Sequence, residues 1–298
     1  MPSSSTTEIA IIGDVHDLWD ASDNAVLHRL GADLALFVGD FGNEAISVVR
    51  AIAAYDGPMA AILGNHDAWF SATSWGRKKC PYDRAKEDRV NDQMAFLGDR
   101  HVGYSYRDFP NCNLSVVGGR PFSWGGPKWS NEEFYRHRYG IDGLDASADR
   151  IVKGAIAAEY DTTIFLAHNG PSGLGAAPED PCGKDWNPIG GDFGDRDLEM
   201  AIDRTRQRGK TVPLVTFGHM HYRLRHRSDR LRRPIHVDSA GTVYVNAACV
   251  PRIAETKQGK LHHFCWVTLA DKRVDRVALR WVSDEGAIVS EEVFYQGN

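Results

Sequence analysis

A chain of 298 residues, 42% hydrophobic and 25% charged, has room for one large α/β domain or two modest ones. It is too apolar for wholesale disorder, and its apolar runs are too short to span a bilayer. A formal charge of −5 over this size gives no general case for nucleic acid binding.

The N-terminal stretch MPSSSTTE is polar and brief, with no basic segment leading into an apolar one, so a secretory signal is not expected and a cytoplasmic protein is. Residues 8–12 (EIAII) form the first apolar run and end at Gly13-Asp14; the stretch behind them reads as a helix capped by Asp20 or Asp23 and stopped near Gly31. Residues 33–38 (DLALFV) end at Gly39-Asp40 and lead into a helical pattern over 44–55, and residues 58–63 (PMAAIL) end at Gly64-Asn65-His66-Asp67. Strand, polar loop and helix in alternation predict a parallel sheet built from βαβ units.

That beat stops over residues 68–112, which are charged and aromatic, helical in parts, and expected as an insertion rising over the strand ends. Residues 113–118 (NLSVVG) read as the next strand, and 119–145 as a second, cap-like segment rich in glycine and aromatics. A helix over 147–160 precedes a buried strand, 162–167, that ends at His168. The Gly- and Pro-rich residues 169–194 form a long loop of the kind that usually has a function. A helix over 195–208 leads to the strand that runs out in Gly218-His219-Met220-His221. Beyond residue 233, short alternating runs over 242–247, 262–269, 275–282 and 287–295 suit antiparallel strands. No linker composition interrupts the chain, so a single domain over 1–298 is expected. The five cysteines are odd in number and show no CxxC spacing, which argues against a disulfide framework and against a cysteine metal site.

Five of the 12 histidines fall in four short segments that each follow an apolar run. In an open parallel sheet, ligands collect in the crevice beyond the carboxyl ends of the strands, and Asp14, Asp40, Asn65, His168 and His219 each stand at such an end. Side chains two apart on an extended segment point the same way, so His219 with His221, and Asp14 with His16, are expected to face that crevice together and to serve two neighbouring ions. Carboxylate, imidazole and amide oxygen are ligands for borderline divalent metals. A carboxylate is the natural bridge between two such cations, and ions roughly 3.5–4 Å apart make a nucleophile of trapped water near neutral pH.

Together, Asp14-Val15-His16, Gly39-Asp40 with Asn43, Gly64-Asn65-His66-Asp67, His168 and Gly218-His219-Met220-His221 resemble the calcineurin-like metallophosphoesterase superfamily in order and spacing. The resemblance implies a two-sheet mixed α/β sandwich flanked by helices. It implies that Asp14, His16, Asp40 and His221 hold one divalent metal and Asp40, Asn65, His168 and His219 a second, with Asp40 the bridge. Manganese is the expected metal; iron, zinc, nickel and cobalt suit the same donors. By the same resemblance, a bridging hydroxide attacks phosphorus in line, His66 is the general acid that protonates the leaving oxygen, and Asp67 orients its ring. Many members carry Asp where this chain has Asn43, which weakens the expectation of a supporting hydrogen bond there. The Ser/Thr protein phosphatases follow the second motif with arginine and the third with glutamate, whereas this chain reads GDFGNEA and GNHDAW, so protein phosphatase activity is not expected.

Singly, each of these residues has a plainer reading: Asp14 as a helix cap, Asp40 and Asn65 as turn formers beside glycine, His168 as a core-edge histidine. Their joint occurrence favours ligation. Asn43 stands evenly between structural support and substrate contact. Arg120, in GGRP, is a further candidate for meeting a substrate phosphate, and Arg223, with Arg225, in the arginine-rich run YRLRHRSDRLRR, keeps the parity of His219 and His221 and is a candidate for a positive rim that draws in anionic substrate. Trp69, Phe70, Trp75, Trp124 and Trp129 read first as core and second as a pocket wall. The expected activity is hydrolysis of small-molecule phosphate esters. A phosphodiesterase or nuclease is the alternative suggested by the arginine run; a non-catalytic scaffold for a protein partner is the other, and the full set of ligand positions speaks against it.

Overall fold

The computed structural model describes residues 6–257 and 259–297, so the first five residues of the polar N-terminal stretch lie outside the described residues. The elements in order are β1 (Thr6–Ile12), α1 (Ala21–Leu30), β2 (Leu34–Phe37), α2 (Ile46–Ala53), β3 (Met59–Ala61), α3 (Ser74–Lys79), α4 (Arg89–Leu97), β4 (Tyr106–Phe109), β5 (Leu114–Gly118), α5 (Glu132–Tyr139), α6 (Leu144–Ala157) and β6 (Thr163–Leu166). They continue with α7 (Arg196–Gln207), β7 (Leu214–Phe217), β8 (Ile235–Val237), β9 (Val243–Asn246), β10 (Ile253–Thr256), β11 (Gly259–Ala270), β12 (Arg273–Ser283) and β13 (Ile288–Gln296). Local chemistry sets the boundaries where it was expected to: Asp20 caps α1 through the Ser22 amide, Asp23 closes the capping box, and Gly31 ends the helix in the left-handed region at φ 65°.

The strands form two sheets, one ordered β13-β12-β11-β1-β2-β3 with β10 beside β11, the other β4-β5-β6-β7-β9-β8. Strand periodicity decides what each face meets. Ile9 and Ile11 of β1 and Leu34 and Leu36 of β2 point toward Val116, Ile164, Leu214 and Val245 of the other sheet, giving an apolar layer between the sheets. The alternate residues Ala10, Ile12, Ala35 and Phe37 pack outward with Val49 and Ile52 of α2, and Phe165 and Val215 pack outward with Ile151 of α6 and Leu198 of α7. The molecule is therefore a two-sheet mixed sandwich with helices on its outer faces.

Two expectations from the sequence change. The parallel run is shared between the sheets: β1, β2 and β3 are parallel in one, and β5, β6, β7 and β9 in the other. Residues 242–247, expected to be antiparallel, supply β9, which is parallel to β7 because the long arginine-rich connection carries the chain back across the sheet before it pairs. In addition, the 68–112 segment is partly integral to the sandwich. His101 bridges Ala61 at the end of β3, β4 forms a sheet edge, and Val90, Leu97, Val102 and Phe109 are buried, which a lid over solvent would not achieve. Among the described residues no helix is long and apolar enough to cross a membrane, and all five cysteines are free thiols.

Candidate metal centre

The turns after β1, β2, β3, β6 and β7 converge through their own backbones. Val15 and His16 donate their amides to the Asp40 carbonyl at 3.0 and 2.8 Å, and Gly218 donates to the His168 carbonyl at 2.8 Å. His219 donates its amide to the Asp14 carboxylate at 3.0 Å, and His66 donates to Asp40 Oδ1 at 2.9 Å. Glycine precedes several of these ligands because the turns press on one another. A Cβ on Gly64 would lie 2.4 Å from Asp40 Oδ1, and one on Gly218 would lie 2.1 Å from Asp14 Oδ1.

Left-handed backbone occurs at three residues of the site: His16, Asp40 and His219 have φ of 44°, 51° and 65°, a region that costs non-glycine residues energy and is retained where surrounding structure enforces it. This corrects the reading of His219 and His221 as alternate positions of one extended segment. The strand ends at Phe217, and Met220 donates to the Gly218 carbonyl at 2.7 Å across a tight turn centred on His219. The turn sends the two imidazoles to different clusters: His221 joins Asp14 and His16, and His219 joins Asp40 and His168, with each cluster's donor atoms within 4.8 Å of one another.

The donor atoms fit cations. His168 Nδ1 donates to the Val38 carbonyl at 2.8 Å, which aims Nε2 at Asn65 Oδ1, 2.9 Å away, and at Asp40 Oδ1, 3.3 Å away. An imidazole nitrogen, an amide oxygen and a carboxylate oxygen converging in a buried site are a donor set that a divalent cation suits. In the other cluster, His221 Nε2 lies 3.1 Å from Asp14 Oδ2 and 3.1 Å from His16 Nε2. Burial pushes the Asp14 carboxyl upward, but the bond from His221 and the charges of His221, His168 and His16 outweigh it and hold the group well below the usual carboxylate range. Burial, reinforced by His168, pushes His219 down to about 3, so its ring is neutral, the form that could ligate a metal. Carboxylates, imidazoles and one amide, without thiolate, suit a divalent metal of borderline character.

His66 sits at the mouth of the centre, half-buried, with Nε2 3.9 Å from Asp40 Oδ2 and within a third cluster with His16 and Asp40. Its ring is held by Asn43, whose Oδ1 accepts from Nδ1 at 2.6 Å, and by Trp69, stacked on it at 4.5 Å. Trp124 stacks behind Trp69 at 5.2 Å. The expectation that Asp67 orients His66 is therefore corrected: both Asp67 oxygens are taken by backbone amides, Phe41 at 3.0 Å and Gly64 at 2.7 Å, so Asp67 pins the two turns that carry Asp40 and Asn65. Burial, and then the Asp40 charge, push the Asp67 carboxyl well up against those amide bonds. Trp69 was legible only as an aromatic near the third motif; nothing in the sequence marks it as the stacking partner.

Arg120 does not face the centre's ligands. It is 2% exposed, its Nη2 meets Asp195 at 2.8 Å and its Nε meets Asp197 at 3.0 Å, and Trp129 and Tyr135 cover it. A phosphate contact from Arg120 is thereby replaced by a buried ion triad, and Trp129 is core. We expect Arg120→Met to cost about 3–5 kcal/mol in urea unfolding, because two buried carboxylates lose their cation, with KM for a phosphate ester unchanged in the folded fraction. Arg223 is exposed and bridges Leu231 across its hairpin, and among the described residues no hydrogen bond or ion pair joins it to the donor clusters.

A model of the calcineurin-like phosphoesterase family matches residues 7–223, a span that includes every ligand described above. A solved chain aligns over 98% of this one and 100% of its own at 13% identity and a TM-score of 0.54. TT1561 of Thermus thermophilus aligns over 98% and 100% at 12% identity and a TM-score of 0.48. The NAD nucleotidase of Haemophilus influenzae aligns over 97% of this chain and 60% of its own at 12% identity and a TM-score of 0.49. At such identities likeness concerns the fold. No curated protein matches the sequence.

Proposed function

The chain belongs to the calcineurin-like phosphoesterase family, and from that premise we propose that it hydrolyses phosphate esters of small molecules with a pair of divalent cations. The observation that supports this most is the convergence of His168 Nε2, Asn65 Oδ1 and Asp40 Oδ1 in one buried donor set. Asp14, His16 and His221 with Asp40 would hold one ion, and Asp40, Asn65, His168 and His219 the other. When bound, such ions supply Lewis-acid charge to the phosphoryl oxygens and lower the pKa of nearby water. The protein's own contribution is orientation and proton transfer. Asn43 holds the proton on His66 Nδ1, so Nε2 is the atom that carries a proton to the departing oxygen. Burial lowers the His66 pKa, which makes the protonated ring a ready donor. The Trp69 face covers one side of that ring and keeps water from it.

The decisive experiment reconstitutes purified protein separately with manganese, iron, zinc, nickel and cobalt and offers aryl phosphate, bis-aryl phosphate and a panel of phosphorylated metabolites. Absence of phosphate release from every ester with every metal would refute the reading. Preferred cleavage of the bis-aryl compound would instead favour a phosphodiesterase. We further expect Asn43→Asp to raise the His66 pKa, because a carboxylate on Nδ1 favours imidazolium. The acid form then persists to higher pH, so the alkaline limb of the kcat profile should move upward; a profile that stays in place would show that Asn43 does not set the state of His66.

A further inference from the structure

Four of the six arginines between residues 222 and 233 have carboxylate partners: Arg227 pairs with Glu179 and Asp229, Arg230 with Asp229, Arg232 with Asp185 and Arg233 with Asp180. Among the described residues, Arg223 and Arg225 have no acidic partner. Arg225 is exposed and its guanidinium lies 5.3 Å from the Trp186 ring centroid, and the ammonium of Lys184 lies 5.8 Å from the same ring. Lys184 also has no acidic partner among the described residues. The nearest carboxylate in sequence, Asp185, is committed elsewhere: its Oδ2 accepts the Arg225 backbone amide at 2.9 Å and faces Arg232 Nη2 at 3.3 Å.

One buried guanidinium fixes this pair beside the metal centre. Arg232 donates from Nε to the carbonyl of the ligand His221 at 3.0 Å and from Nη1 to the Gly183 carbonyl at 2.7 Å. A single planar group thus binds the backbone of His221 and the residue before Lys184, so Lys184, Trp186 and Arg225 form the rim on the His221 side. Two cations gathered on one indole, neither of them in an ion pair among the described residues, repel each other, and a bound anion relieves that repulsion while gaining charge-assisted hydrogen bonds.

We propose that Arg225 and Lys184, braced on Trp186, form an anion subsite next to the metal centre, and that the natural substrate is a phosphate ester carrying a second anionic group, a carboxylate or another phosphate. This rests on the phosphoesterase reading for the position of the first phosphate. It reassigns the arginine run: half of it, Arg227, Arg232 and Arg233, stitches the hairpin to residues 178–185, and Arg225, rather than Arg223, is the arginine that meets substrate.

The test compares two matched, non-hydrolysable probes on manganese-loaded protein by titration calorimetry, ethylphosphonate with one anionic group and phosphonoacetate with two. Wild type should hold phosphonoacetate about tenfold tighter, the effect of roughly one charge-assisted contact. Arg225→Gln with Lys184→Gln should reduce that preference to within about twofold while leaving ethylphosphonate affinity and metal content unchanged. Absence of a preference in wild type, a preference that survives the double substitution, or equal weakening of both probes would overturn the subsite. Turnover of 4-nitrophenyl phosphate by the same wild-type preparation reports separately on the hydrolase reading, since its absence would remove that reading whatever the binding data show.

Discussion

Asp40→Asn should sharply reduce both metal binding and turnover while leaving the fold intact. Asp40 forms a donor cluster with His168 and His219, and its carboxylate also lies within 4.8 Å of a ring nitrogen of His16, which belongs to the cluster with Asp14 and His221, so it is the group placed between the two halves of the centre. Asparagine keeps the volume and the backbone carbonyl that fixes Val15 and His16. It replaces a carboxylate oxygen with an NH2 donor, and that donor finds ready acceptors in His168 Nε2 and Asn65 Oδ1. A hydrogen bond then satisfies what a cation satisfied, and the remaining site has lost a negative charge. Metal content measured by plasma mass spectrometry should fall from about two ions per chain to below one, and kcat should drop by about 10³ or more, the scale set by removal of one preorganised transition-state contact. The urea midpoint should not fall. Full metal content with undiminished turnover would refute the shared role.

His66→Gln should separate proton transfer from metal binding. The ring lies 3.9 Å from Asp40 at its nearest nitrogen and is gripped by Asn43 and Trp69, partners that aim it without drawing it into either ligand set. Loss of a positioned general acid is worth about 10²–10⁴ in rate, and the loss should depend on the leaving group. An alkyl phosphate, whose alkoxide departs only with a proton, should suffer the full decrease; 4-nitrophenyl phosphate, whose phenolate departs unaided, should suffer much less. Metal content should be unchanged. A uniform loss across leaving groups accompanied by metal loss would make His66 a ligand instead.

Much of this centre was legible because its signals are local. Each apolar run that ends in glycine and a polar residue is a strand followed by a turn, and a parallel arrangement places such turns on one edge; Asp14, Asp40, Asn65, His168 and His219 follow from that rule alone. The roles of neighbouring residues were not legible in the same way. Asp67 adjoins His66 in sequence and was taken for its partner, yet the three-residue turn from His66 to Ala68 rotates it inward onto the Phe41 and Gly64 amides. Asn43 lies 23 residues away and supplies the hydrogen bond. Arg120 and Arg225 show the same limit from the other side: both are arginines in irregular segments, and only the presence of Asp195 and Asp197 beside one of them, and of no carboxylate beside the other, separates a structural cation from one available to a ligand.

The amino-acid order by itself determined the main sheet strands, the limits of α1, α2 and α7 to within a few residues, and the candidate metal donors, because hydrophobic period, capping and glycine placement act over a few residues. Tertiary structure alone decided which candidate donors cluster together, which neighbour holds the His66 ring and which arginine stays unpaired. Those outcomes depend on left-handed turns and on contacts between segments far apart in the chain, where the energy of each group is set by what the rest of the fold places against it.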